Sequence, residues 1–212
     1  NVSMADNATG GSPGNGGGLH ITGPGNSMIM DCNVIGNRAE AEGGGLWNGT
    51  GVMTVSGSMI NSNTTVGMGA NQGGAGIFNA GGTVNINGGT VNGNMTSGMS
   101  TSGGGILNDM GILSVTNTEL SGNSSIRAGG AIEDNSAVGN TLTLTNVTMN
   151  NNTTASAPGN GGGLHITGPG NSTITDCTVT NNSAAAEGGG LWNGAGEMTV
   201  SGCSVNGNTT VG

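Results

Sequence analysis

A Gly-rich tetrad returns seven times along this chain, and its spacing limits the fold more than any other feature. The tetrads end at Leu19, Leu46, Ile77, Ile106, Ile132, Leu164 and Leu191, in steps of 27, 31, 29, 26, 32 and 27 residues. A longer period lies over the short one. Residues 1–67 align with 146–212 without a gap, with 47 of 67 positions identical, and the offset of 145 equals five units of 29. Periods of this size mark repeat architectures, in which a unit buries its apolar face only against its neighbours.

Composition then removes the helical versions of such an array. Of 212 residues, 48 are Gly and 31 are Asn, both poor helix formers. Leu, Ile, Val and Phe total only 36, a share at which many chains stay disordered. The order in the pattern argues the other way. An apolar residue recurs at Ile29, Val55, Ile86, Val115, Leu144, Ile174 and Val200, and five positions later another at Val34, Ile60, Val91, Leu120, Met149, Val179 and Val205. Three residues further on, Asn occurs every time: Asn37, Asn63, Asn94, Asn123, Asn152, Asn182 and Asn208, with Asn7 in an earlier partial copy. Short β-branched segments divided by Gly and Asn read as strands and bends. The expectation is an all-β fold, one continuous parallel β-solenoid over 1–212, with about 29 residues and three short strands per coil. Seven or eight coils at about 4.8 Å make a rod roughly 35 Å long. Differences in unit length are expected in the bend before each Gly-rich tetrad.

Each column carries its own physical expectation. The Asn column is read as structural, its amides bonding from coil to coil and to the backbone of their own bend. The Gly triplets allow positive φ or close approach of a neighbouring backbone. With no Lys after them and no helix to follow, they do not form a phosphate cradle. Cys32, Cys177 and Cys203 share a small-residue core column with Ser58, Gly89, Thr118 and Val147, and are expected to be buried thiols, with a bridge between Cys177 and Cys203 on adjacent coils as the alternative. The residue after each inward Leu or Ile reads His20, Trp47, Phe78, Leu107, Glu133, His165 and Trp192, and gathers every aromatic ring and both His of the chain. Strand alternation points this strip outward, which leaves three roles open: covering by the variable bend, contact with another rod, or stacking against a glycan. Pairs such as Thr54 and Ser56, or Thr173 and Thr175, would form two outward hydroxyl files that resemble those of ice-binding solenoids, broken by Met28, Met30, Asn85 and Asn87.

Charge excludes other roles. A net charge of −9, with Arg38 and Arg127 the only basic side chains besides His, is unsuited to nucleic acid or anionic lipid. No apolar run is long enough to span a membrane. Asp31 and Asp176, like Glu42 and Glu187, are twins five coils apart, about 24 Å, too far to act as a catalytic pair. Cysteine, His and Asp spacings match no metal loop, so no catalytic residue, metal site or cofactor is expected. Asn-x-Ser/Thr triplets, as at Asn48, Asn63, Asn94 and Asn208, carry little information in so Asn-rich a chain.

The sequence Gly129-Gly130-Ala131-Ile132, its GGGL and GGGI variants, and the apolar-x-x-Asn motif closing each unit resemble the GGA(I/L/V) and FxxN motifs of polymorphic outer membrane protein repeats. They are similar too to the Gly- and Asn-rich right-handed β-helix repeats of large bacterial surface proteins. Val, Ile, Leu or Met stands where that family carries Phe. The resemblance covers nearly the whole chain, and implies a right-handed parallel β-helix displayed outside the cell or on its surface, adhering or assembling, with no catalytic residue carried over. The near-copy and the absence of visible polar caps suggest a longer array or end-to-end stacking. The chain is thus expected to be a non-enzymatic fibre or stalk that partners itself, with surface glycans as a further partner.

Overall fold

In the computed structural model, which describes residues 2–212, the chain is all β. Four parallel ladders run along it with no helix among the described residues. The first ladder is built from the Gly-rich strands, Leu19–Ile21 through Leu191–Asn193, and has seven members. The second holds the middle strands, from Asn26–Met30 to Met198–Ser201. A third, of eight strands, runs from Ser3–Ala5 to Ser204–Asn206. These are the three strands of each coil. A fourth ladder of two-residue strands, Arg38–Ala39 through Thr209–Thr210, closes the circuit just after the Asn column.

Register follows the apolar columns. Leu19, Leu46, Ile77, Ile106, Ile132, Leu164 and Leu191 are successive partners in the first ladder. Ile29, Val55, Ile86, Val115, Leu144, Ile174 and Val200 are partners in the second. Met4, Val34, Ile60, Val91, Leu120, Met149, Val179 and Val205 line up in the third. A one-residue slip would turn each of these columns out to solvent, so the pattern itself fixes the pairing. Together with a second inward position of the middle strand, filled by Met53, Val84, Leu113 and Leu142, they form one apolar core along the axis, apart from the exposed Val200 and Val205.

Two bends repeat a left-handed residue in every coil. Between the second and third strands it is Asp31, Gly57, Gly88, Asn117, Asn146, Asp176 or Gly202; between the third and fourth it is Asp6, Gly36, Ser62, Gly93, Gly122, Asn151, Asn181 or Gly207. Positive φ is cheap for Gly and tolerable for Asn and Asp, whose short side chains bond locally, which accounts for much of the composition. Ser62, at φ 56°, is the one residue of another type in either column. Ser62→Gly is therefore expected to raise stability by roughly 0.5–1 kcal/mol in urea unfolding, the αL strain relieved outweighing the entropy that Gly adds to the unfolded chain.

Unit length varies at two places rather than one. The bend before the Gly-rich strand absorbs most of it. The fifth coil is also longer at the corner after Asp134, and its middle strand starts early, at Gly139, with a register irregularity between Asn140 and Leu142.

Candidate functional site

The Asn column forms a continuous amide relay inside the rod. Asn7, Asn37, Asn63, Asn94, Asn123, Asn152 and Asn182 each donate from Nδ2 to Oδ1 of the next member, ending at Asn208, over 2.8–3.0 Å. The backbone N–H of each donates to the same Oδ1. The second Nδ2 hydrogen goes to the carbonyl of the apolar residue one coil back, as from Asn63 to Val34 and from Asn94 to Ile60. This departs from the expected bond to the bend's own backbone. The side chains from Asn37 to Asn182 are fully buried, pointing inward past the corner rather than across it. Each amide so uses both hydrogens and both lone pairs, as a buried amide requires. Asn48, Asn63 and Asn94, although they open Asn-x-Ser/Thr triplets, are closed to modification in the folded chain for the same reason.

A second relay was hidden in the sequence. Asn48 donates to Asn79, Asn79 to Asn108, and Asn108 to Asp134 Oδ1 at 2.6 Å. Asn48, Asn79 and Asn108 each also donate to a carbonyl three residues on, at Gly51, Gly82 and Gly111. Asp134 ends the relay, since the next position is Ile166, and its second oxygen accepts from Ser136 and Thr141 on the lengthened corner. Ile21 and Ile166 interrupt this column, so no unbroken motif announces it.

The expected contact strip is assembled in order but largely covered. His20 stacks on Trp47 with ring centroids 4.2 Å apart, and Trp47 on Phe78 at 6.2 Å; His165 stacks on Trp192 at 4.3 Å. Both faces of Trp47 are occupied by its neighbours. Phe78, Leu107, Glu133 and His165 are at most 2% exposed. Alternation does turn these side chains away from the main apolar core, which includes none of them. The Gly four residues before each strip residue, such as Gly43 (φ 60°) and Gly103 (φ 66°), brings the variable bend back over it. A Cβ on Gly103 would lie 2.5 Å from the Ile106 carbonyl oxygen and 2.9 Å from Leu107 Cβ. Trp47 and Trp192 keep partial exposure, and their Nε1–H groups donate to Glu42 and Glu187 at 2.9 and 3.0 Å.

Carboxylates that looked scattered meet at one corner. Glu133 replaces an apolar or aromatic strip residue, buried between Leu107 and His165. It accepts from Thr167 Oγ1 and pairs with His165 Nδ1 at 2.6 Å. His165 Nε2 has no partner, and both side chains of the pair are 2% exposed, so no solute reaches them. Asp109 and Asp134 lie beside Glu133. Burial is the main cause that raises the pKa of Asp134, Asp109 and Glu42 above the usual carboxylate range, and the charge of Glu133 adds to it at Asp134 and Asp109. A carboxyl that is harder to ionise when folded stabilises the fold below its ordinary pKa, and that stability is lost as pH rises through the folded value. These three groups should therefore make the melting temperature fall as the pH rises above about 4, the ordinary carboxylate value. Asp134→Asn should flatten that slope while keeping the acceptor for Asn108.

The outward pairs of the middle strand are in register. Ser114, Thr143, Thr173 and Thr199 form one file, and Thr116, Thr145, Thr175 and Ser201 the other. Asn85 and Asn87, then Met28 and Met30, break the files in other coils, and Met28 is 69% exposed. Among the described residues no group of three or more His, Cys, Asp or Glu is placed to hold a metal ion. Compared with protein-family models, curated proteins and solved structures, the chain has no match in any of the three.

Proposed function

We propose that the chain is a non-enzymatic structural rod of an extracellular or surface-displayed assembly, acting as a fibre or adhesin stalk. One observation carries this reading: every coil is tied to the next by four backbone ladders and a buried amide relay, with the internal 145-residue repeat reproducing the same scheme. Such a fold invests its residues in length and rigidity. Glu133, Asp134 and His165, the centre of its titratable cluster, are shut off from solvent, and its aromatic rings are spent on stacking within the strip. The acidic, Lys-free surface keeps rods soluble and unattached to nucleic acid.

Self-association is the partner this reading favours, because the chain carries a near-copy of its own first coils, which stack in register within the same four ladders. Negative-stain images and sedimentation at rising protein concentration test it. Filaments several times the length of one rod support it, and compact dispersed particles at every concentration count against it. A second reading, ice binding, rests on the four in-register coils of Thr and Ser files. Lack of thermal hysteresis at high concentration would dismiss it.

A further inference from the structure

Cys177 and Cys203 sit at the same bend of adjacent coils, immediately before the paired residues Thr178 and Ser204. Their Cα atoms are thus about one strand spacing apart, roughly 4.8 Å, inside the range a disulfide spans. The Cys203 thiol reaches back to the coil of Cys177: its Sγ lies 3.2 Å from the Cys177 amide nitrogen and 3.4 Å from the Ile174 carbonyl oxygen, while Cys177 Sγ lies 3.2 Å from the Thr175 carbonyl oxygen. The equivalent coils at the other end of the long repeat hold Cys32 and Ser58, and there the Cys32 N–H donates to Ser58 Oγ at 3.1 Å. The two sites are thus copies, differing by one sulfur for oxygen exchange. All three thiols are free in this structure.

We propose that Cys177 and Cys203 form an oxidation site, closing a disulfide between successive coils when the folded rod meets a small-molecule disulfide such as oxidised glutathione. The site belongs to the unassembled rod, where Cys203 is half-buried, and a further coil stacked on it would cover it. Cys203 is half-buried and Cys177 fully buried, which sets the order of events. The Cys203 thiolate attacks one sulfur of the oxidant, whose S–S bond breaks and releases one glutathione thiolate. The Cys177 thiolate then attacks Cys203 Sγ, forms the protein disulfide and expels the second glutathione. Two electrons pass from the protein thiols to the oxidant, and the two thiol protons pass through solvent to the leaving thiolates. Burial pushes the Cys177 thiol up to about 11, so the second step should quicken as the buffer becomes more alkaline. Cys32 has no sulfur opposite it and stays a thiol.

The test incubates the folded 212-residue chain with oxidised glutathione in alkaline buffer, followed by thiol titration in denaturant and peptide mapping without reduction. The expected result is a fall from three titratable thiols to one, a peptide linking Cys177 to Cys203, and a raised melting temperature. Cys177→Ser removes the second sulfur, and should leave one glutathione on Cys203 with no linked peptide. Glutathione retained on Cys203 with Cys177 unmodified would overturn the proposal. So would bridges found only between molecules, or a Cys177→Ser chain whose Cys203 takes up no glutathione.

Discussion

Replacing Asn94 with Ala is expected to lower the free energy of unfolding by about 4 kcal/mol, a large part of what a domain of this size holds. The reason lies in what is left behind. The Asn63 backbone N–H and one Asn63 Nδ2 hydrogen lose their acceptor, while the Ile60 carbonyl and one lone pair of Asn123 Oδ1 lose a donor. All of these groups are buried, and each orphan costs roughly 1–3 kcal/mol, partly offset by relaxation or entering water. Asn94→Asp keeps the size and the acceptor but sets a carboxylate oxygen against the Ile60 carbonyl and Asn123 Oδ1. It should be no milder. Chemical unfolding of both variants checks this. A loss below about 1 kcal/mol in the Ala variant would mean that the relay is not what ties the coils together.

Gly103→Ala is the second large effect, expected at about 3 kcal/mol from left-handed strain combined with overpacking. The new methyl would press into the Ile106 carbonyl and Leu107 Cβ, neither of which can swing away. Two comparisons separate this from a general penalty on Gly. Gly122 has a similar φ of 62° but nothing within 4 Å of the added Cβ, so Gly122→Ala should cost only about 1 kcal/mol. Gly81, at φ 79°, likewise has nothing within 4 Å of an added Cβ, so Gly81→Ala should be about as mild. Unfolding curves for the three variants should rank Gly103 first by a clear margin.

Much of this architecture was legible because a parallel coil repeats its chemistry at a fixed interval. The apolar columns and the Asn column recur at unvarying distances, from Ile29, Val34 and Asn37 to Val200, Val205 and Asn208, and those distances became register directly. What stayed hidden depends on segments that do not repeat. The strip from His20 to Trp192 has the alternation of an outward file, and its covering depends on bends whose lengths differ from coil to coil. The relay from Asn48 to Asp134 spans four coils and breaks at Ile21 and Ile166, so it has no period to detect. Asp109, Glu133 and Asp134 gather because a lengthened corner in one coil supplies Ser136 and Thr141, which the other coils lack. The left-handed corners mix Asp, Asn, Ser and Gly, residues that look unrelated until their backbone angles are compared.

The amide relay has a mechanical consequence. Its hydrogen bonds, like those of the ladders, run from coil to coil, so a pull on the two ends of the rod loads successive coils in series. Peeling one coil of about 29 residues would replace about 4.8 Å of rod by roughly 100 Å of extended chain. A tether of this kind lengthens some twentyfold per released turn and yields in small equal steps, dissipating force as a shock absorber does.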